Sequence, residues 1–160
     1  MSYFYDYIKS LGDKPIDIYI DMDGVVADYD FQGYNNDGTN DDIYLYKRPI
    51  MSSINPLKEV NELDNVTLYI LSVARYESQI KGKVEWLKKY MDFIGLEHVN
   101  ILPRDTNEWI KAKDLKKRFL EGNINKDHIN IHIDDSHEVL QTLEDSGNDL
   151  ILLHVTSLID

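Results

Sequence analysis

The chain contains no cysteine. Disulfides and thiolate metal sites are therefore excluded, and the absence is typical of a cytoplasmic protein. Long apolar runs are lacking too, since no stretch approaches the roughly 20 residues that a membrane-spanning helix needs. The N-terminus shows no basic start followed by an apolar segment, so no export signal is predicted. We therefore expect a cytoplasmic protein with no membrane partner.

Basic residues are also in short supply. The sequence has 17 Lys and Arg against 29 Asp and Glu, a formal net charge of -12. Such a field repels a nucleic-acid backbone, which argues against a polymeric nucleic-acid partner. Small anions remain compatible with a local positive site, and some of the acidity can hold a cation. The length of 160 residues and a hydrophobic share of 42% predict a single domain over residues 1–160 with one core, of unknown oligomeric state.

Short β-rich segments alternate with amphipathic helical segments along the chain. Strands are predicted at residues 16–20, 67–71, 99–102, 129–133 and 150–155. Helices are predicted at residues 3–11, 56–63, 77–93, 108–120 and 136–143, the second starting with Pro56 in its first turn and the third stopping at Gly95. The alternation predicts an α/β fold, a three-layer Rossmann-like α/β/α arrangement around a parallel sheet of about five strands.

Residues 29–53 interrupt this alternation with a polar segment rich in Asn, Asp and Tyr. Long excursions in compact domains are usually functional or mobile, and we expect a short cap-like element here. Its candidate substrate contacts are Tyr29, Phe31, Tyr34, Tyr44, Tyr46 and Arg48, with Arg75 a further candidate after the second strand. Aromatic faces can stack a base and arginine can bind phosphate. The alternative is a surface loop whose tyrosines pack on the domain.

Asp21 and Asp23 follow the first predicted strand, and Gly24 allows a sharp turn after them. Ligands of open parallel sheets bind at the carboxyl ends of the strands. Two carboxylates so close repel each other, so a raised pKa or a metal ion must compensate. Magnesium suits such oxygen ligands. The alternative is an ordinary Asp-rich turn.

Asp134 and Asp135 follow the fourth predicted strand, and Ser72 follows the second. Two acids at the end of a buried strand are costly unless paired or bound to metal. One of them could instead favour the start of the next helix, where Ser136 can act as N-cap. The Ser72 hydroxyl could donate to phosphate or could simply cap the strand. Two acidic pairs at two strand ends favour a cation site.

A phosphoryl group beside several carboxylates needs a cation to stabilise it. Lys111 is the first candidate and Lys113 the second, because both lie near the start of the helix between the third and fourth strands. The alternative is that they are solvated surface lysines.

Four segments together resemble the motifs of the haloacid-dehalogenase-like (HAD) hydrolases. They are DMDGVVAD at residues 21–28, LYILS ending at Ser72, the Lys-Ala start at Lys111, and IHIDDS at residues 131–136. The order and spacing agree over residues 16–143. DGVVAD with the later IDD, and KVEWL at residues 83–87, are similar to the 5'(3')-deoxyribonucleotidase-like branch. Only residues 29–65 separate the first two motifs, so any cap is minimal.

The resemblance implies a magnesium-dependent phosphomonoesterase that works through an aspartyl-phosphate. In that scheme Asp21 is the nucleophile and Asp23 the acid and base. Magnesium would be held by Asp21, the Asp23 main-chain carbonyl and either Asp134 or Asp135. Ser72 and Lys111 would hold the phosphoryl oxygens. The substrate would be a small phosphorylated metabolite, a nucleoside monophosphate or alternatively a sugar phosphate, and a non-catalytic binding domain on the same fold is the alternative class.

Overall fold

The computed structural model describes residues 1–29 and 41–159, with the backbone alone at residues 41–43. Its strands are β1 (Ile16–Ile20), β2 (Val66–Ala74), β3 (Val99–Pro103), β4 (Ile129–Asp134) and β5 (Ile151–His154). They form one sheet in the order β3-β2-β1-β4-β5, and every neighbouring pair is parallel. The predicted α/β fold is therefore confirmed. The prediction of a single domain over residues 1–160 stays a prediction.

Helices cover both faces of this sheet. They are α1 (Tyr3–Ser10), α2 (Met51–Val60), α3 (Ile80–Tyr90), α4 (Ala112–Asn123) and α5 (His137–Asp145). Side chains alternate along β1, so its isoleucines and its tyrosine face opposite ways. The isoleucines pack with α1, α2 and α3 in one buried cluster, while Tyr19 packs with Leu120 of α4 and with Val139 and Leu143 of α5 in another. Two cores on two faces make the three layers.

Two helices, α2 and α4, begin four or more residues away from the predicted start. Helix α2 starts at Met51, five residues before Pro56, so the proline lies inside it. Proline usually begins a helix, but here the buried Ile54, Leu57 and Val60 form an apolar stripe that starts ahead of it. Helix α4 starts at Ala112, not residue 108, because positive φ angles at Glu108 and Trp109 break the helical path.

Other boundaries move by less. Strand β2 runs on to Ala74, and α3 ends at Tyr90 rather than near Gly95, after a short 3₁₀ segment at Glu77–Gln79. The predicted N-cap is confirmed, since Ser136 Oγ accepts the backbone N–H of Val139 at 3.3 Å. Among the described residues, no helix is long and apolar enough to cross a membrane.

The polar excursion is described only in part. Its residues Asp41–Tyr46 form a 3₁₀ helix that packs against α3, and its last residues begin α2. Phe31 and Tyr34, which the sequence offers as substrate contacts, lie outside the described residues.

Candidate active site

Asp21 stands directly after β1, at the centre of the carboxyl edge of the sheet. Its side chain is largely buried, and its backbone N–H donates to the carbonyl of Ile133 at 3.0 Å, which ties the end of β1 to β4. The side chain of Lys116, on α4, extends to the Asp21 carboxylate. Its Nζ donates to Asp21 Oδ1 at 2.9 Å and to Asp134 Oδ2 at 2.6 Å. One buried cation therefore joins the carboxylates at two neighbouring strand ends.

Asp134 is held on both oxygens. Besides Lys116, its Oδ2 lies 2.9 Å from His132 Nε2, while Oδ1 accepts the Ser136 backbone N–H at 3.0 Å. The other ring nitrogen of His132 lies 3.0 Å from the Tyr19 carbonyl oxygen. Burial lowers the pKa of His132, so the neutral ring, with one N–H, donates to one of these acceptors at a time. Asp134 therefore accepts a hydrogen bond from the start of α5 and also binds the lysine that contacts Asp21.

Burial and pairing push the two linked carboxyls in opposite directions. Burial raises the pKa of Asp21 well above its usual value, against the opposing effect of Lys116. Burial would also raise the pKa of Asp134, but the His132 hydrogen bond and the Lys116 charge outweigh it and hold that pKa below its ordinary range. The pKa of Lys116 is raised, because Asp21 and Asp134 outweigh its own burial. A divalent cation beside Asp21 would favour its ionised form.

Asp21, Asp134 and Asp135 can together hold a metal ion. Each offers a carboxylate oxygen, and these atoms all lie within 4.8 Å of one another. Asp135 is half-buried, and its Oδ2 accepts a hydrogen bond from the Tyr29 hydroxyl at 2.8 Å. A set made only of carboxylate oxygens fits a hard cation such as Mg²⁺. Asp134 already accepts hydrogen bonds from Lys116 and from the Ser136 backbone, so Asp135 has more lone pairs to offer.

Gly24 makes room for Asp135. Its φ is +79°, and a Cβ added there would lie 2.6 Å from Tyr29 Cε2 and closer still to the Asp135 carboxylate. The lack of a side chain at residue 24 therefore lets Asp135 reach over the turn that follows Asp23.

Replacing Gly24 with alanine should displace Asp135 and weaken magnesium binding by about 10- to 100-fold, the usual effect of disturbing the support of a metal ligand. Gly147→Ala is the matched control, because its φ is +72° but nothing lies within 4 Å of the added Cβ. Isothermal titration with Mg²⁺ should separate crowding from backbone strain. Equal magnesium affinity in the two variants would contradict the role given to this close approach.

Asp23 is enclosed by cations on the other side of the turn. Its Oδ1 accepts from Lys47 Nζ at 2.9 Å and from the Tyr44 hydroxyl, and its Oδ2 accepts from Lys83 Nζ at 3.1 Å. Burial would raise the pKa of Asp23, but Lys83 and Lys47 lower it below the ordinary value. Lys47 Nζ also lies 4.5 Å from the centre of the Tyr44 ring. The excursion therefore supplies part of the wall around Asp23.

Ser72 is connected to Asp23 through Lys83, which donates a hydrogen bond to both residues. The serine lies inside β2, so the prediction that it follows the strand is wrong. Lys83 of α3 is fully buried and donates to Ser72 Oγ at 2.8 Å, to the Val73 carbonyl at 2.9 Å, and to Asp23. All three donors of this ammonium group therefore have acceptors. The phosphate-binding role predicted for Ser72 stays a prediction.

The structure places Lys116, rather than Lys111 or Lys113, beside Asp21. Lys111 is exposed just before α4, and Lys113 pairs with Glu138 at 3.3 Å. The choice of Lys111 and Lys113 depends on a helix that begins at residue 108. Because α4 begins at Ala112 instead, the lysine that faces the sheet lies about one helical turn later in the sequence. Lys116 is four residues before the buried Leu120 and so shares its helix face.

Lys83 is a second lysine that the sequence motifs do not assign to the site, although it shares the buried face of α3 with Trp86 and Leu87. A lysine in phase with an apolar helix stripe is costly unless paired, and that pattern is the signal that could have found both residues.

The remaining predicted substrate residues lie in different environments. Tyr44 is buried against Asp23, whereas Tyr46 is exposed. Arg48 is exposed and pairs with Asp28 at 3.5 Å. The Arg75 guanidinium lies 5.5 Å from the centre of the Tyr76 ring. Of these four candidates, Tyr44 is the one that contacts Asp23.

The fold and site define a class: a Rossmann-like α/β fold with acidic side chains at the carboxyl edge of its parallel sheet. Comparisons with protein families and with curated proteins returned no match. Among solved structures, the chain is similar to the HAD domain of the effector protein Lem4 from Legionella pneumophila. The identity is 16% and the TM-score 0.51, over 88% of this chain and 85% of the other. The chain therefore has the fold of a HAD domain.

Proposed function

We propose that this protein is a magnesium-dependent phosphomonoesterase acting on a small phosphorylated molecule, with Asp21 as the nucleophile. The observation that carries the proposal is the contact of one buried lysine, Lys116, with two carboxylates at adjacent strand ends. A buried carboxylate at the carboxyl edge of a HAD fold, beside a cation and a candidate metal site, suits nucleophilic attack on phosphorus.

The proposed reaction has two steps. An Asp21 carboxylate oxygen attacks phosphorus, the bond from phosphorus to the leaving oxygen breaks, and Asp23 gives that oxygen a proton. Asp23 then takes a proton from water, which attacks phosphorus and releases inorganic phosphate with the free Asp21 carboxylate. Asp21, Asp134 and Asp135 would hold Mg²⁺, which neutralises phosphoryl charge when bound.

The lysines around Asp23 support the entry of an anion. Lys47 and Lys83 contact this carboxylate from two sides, at 2.9 and 3.1 Å. A phosphate dianion beside them would compete with Asp23 for their N–H groups and would make the protonated form of Asp23 easier to reach. This exchange would let Asp23 act as the proton donor in the first step.

The substrate class is tested with a panel of nucleoside monophosphates, sugar phosphates and an aryl phosphate. We expect phosphate release that needs magnesium and stops when a chelator is added. The resemblance to the deoxyribonucleotidase-like branch places nucleoside monophosphates first, and sugar phosphates are the alternative. Failure to release phosphate from every compound, with magnesium present, would overturn the catalytic proposal and leave a binding domain.

A further inference from the structure

Two consecutive residues after β3 adopt a backbone conformation that side chains rarely accept. The φ angles of Glu108 and Trp109 are 56° and 55°. Such residues cost free energy and persist only where their surroundings hold them, which happens often at ligand sites. The two residues lie between β3 and α4, at the carboxyl edge of the sheet, where Rossmann-like folds bind their ligands.

Arg104 holds the strained backbone in place. Its Nε donates to the Ile110 carbonyl at 2.9 Å and its Nη2 to the Trp109 carbonyl at 3.0 Å. The Trp109 backbone N–H donates back to the Arg104 carbonyl at 2.9 Å, and Asn107 Nδ2 donates to the Pro103 carbonyl at 2.7 Å. The conformation is therefore built by several independent hydrogen bonds.

The indole ring of Trp109, which these hydrogen bonds hold in place, stays in contact with solvent. Trp109 is 46% exposed, and Tyr76 meets it edge to face with ring centres 5.5 Å apart. The Arg104 guanidinium lies 5.9 Å from the Trp109 ring. A ring presented in this way suits stacking against a ligand.

The aromatic pair of Tyr76 and Trp109 lies at the same edge of the sheet as Asp21 and Asp134. Tyr76 is four residues beyond Ser72 on the β2 side, a separation of at most about 13 Å in extended chain. The Arg104 backbone N–H donates to the Ala74 carbonyl at 2.8 Å, which holds the loop against the end of β2. The 3₁₀ segment Glu77–Gln79 also contacts the 3₁₀ segment Asp41–Tyr46 that carries Tyr44. The pair and the wall around Asp23 therefore share one edge of the sheet.

We propose that Trp109, with Tyr76, binds a planar ring in the leaving group of the phosphorylated substrate. This inference rests on the proposed phosphatase function and specifies its substrate. Stacking on an aromatic side chain accepts any flat π-face, so the shared chemistry is a planar ring, supplied by a nucleobase or by an aryl group. Phosphorylated molecules without such a ring leave the pair uncovered.

Binding is tested on the unmodified chain by tryptophan fluorescence. The protein has two tryptophans, and Trp86 is fully buried, so quenching by a ligand reports on Trp109. Adenosine 5'-monophosphate and phenyl phosphate are titrated against ribose 5-phosphate. We expect saturable quenching by a ring-bearing phosphate and none by ribose 5-phosphate. Stronger quenching by the nucleotide identifies a nucleobase as the ring, and stronger quenching by phenyl phosphate identifies an aryl group.

Kinetics provide the second arm. Trp109→Ala should lower kcat/KM for the ring-bearing ester, relative to ribose 5-phosphate, by about tenfold, mainly through KM. Trp109→Phe should restore most of the ratio, and Tyr7→Ala, which removes a partly exposed ring on α1, should leave it unchanged. Phosphate release with no quenching and an unaltered ratio in Trp109→Ala overturns this inference while the phosphatase stands. Quenching without any phosphate release keeps the ring site and overturns the proposed activity.

Discussion

Asp21→Asn is expected to remove the proposed phosphate release almost completely, by on the order of 10⁴-fold or more, because the substitution removes the proposed nucleophile. The asparagine keeps the shape of the side chain and still offers an oxygen to Lys116. The fold should survive, since burial raises the pKa of Asp21 and so disfavours its charge in the folded state. A steady-state assay of phosphate release and a thermal unfolding curve measure the two effects.

The matched control for this prediction is Asp28→Asn. Asp28 lies in the same turn region but forms an exposed ion pair with Arg48, so its loss should change neither turnover nor the unfolding temperature appreciably. Turnover retained in Asp21→Asn would remove Asp21 as the nucleophile. A trapped acyl-phosphate in the unmodified protein, detected by mass after a rapid acid quench, would support the role directly.

Lys116→Met should cost both activity and stability. Removing this ammonium leaves Asp21 and Asp134 buried without their common cation, a change that typically costs about 3–5 kcal/mol of unfolding free energy. The loss of positive charge beside the proposed phosphoryl position should lower turnover by about 10²- to 10³-fold. Denaturant unfolding and phosphate release, each followed at several magnesium concentrations, measure the effects. Added Mg²⁺ should recover part of the stability, because it supplies charge to the same carboxylates.

Lys111→Met and Lys113→Met are the controls, since the first removes an exposed lysine and the second a lysine paired with Glu138. We expect changes within about 0.5 kcal/mol in the unfolding free energy of either variant. If Lys111→Met abolished turnover while Lys116→Met did not, the lysine assignment from the structure would be wrong and the assignment from the sequence motif would stand.

Much of the fold follows from local pattern. The strand segments are short, apolar and bounded by polar residues, and β1 appears at the predicted bounds Ile16–Ile20. The predicted helix bounds are wrong where tertiary packing or hydrogen bonding outweighs a local sequence preference. Pro56 reads as a helix start, yet α2 contains it because the buried stripe on either side extends the helix. Glu108 and Trp109 read as helical, yet the hydrogen bonds from Arg104 hold them in another conformation.

The sequence by itself determined that the fold is a parallel sheet of about five strands, that Asp21 and Asp23 follow β1, and that Asp134 and Asp135 stand at the end of β4. Residues next to a strand end go where the strand goes, so spacing along the chain is enough to place them. Only the tertiary structure decided which cations meet these carboxylates. Lys116 and Lys83 lie on helices whose start and rotation depend on packing, and a shift of one helical turn exchanges a surface lysine for a buried one.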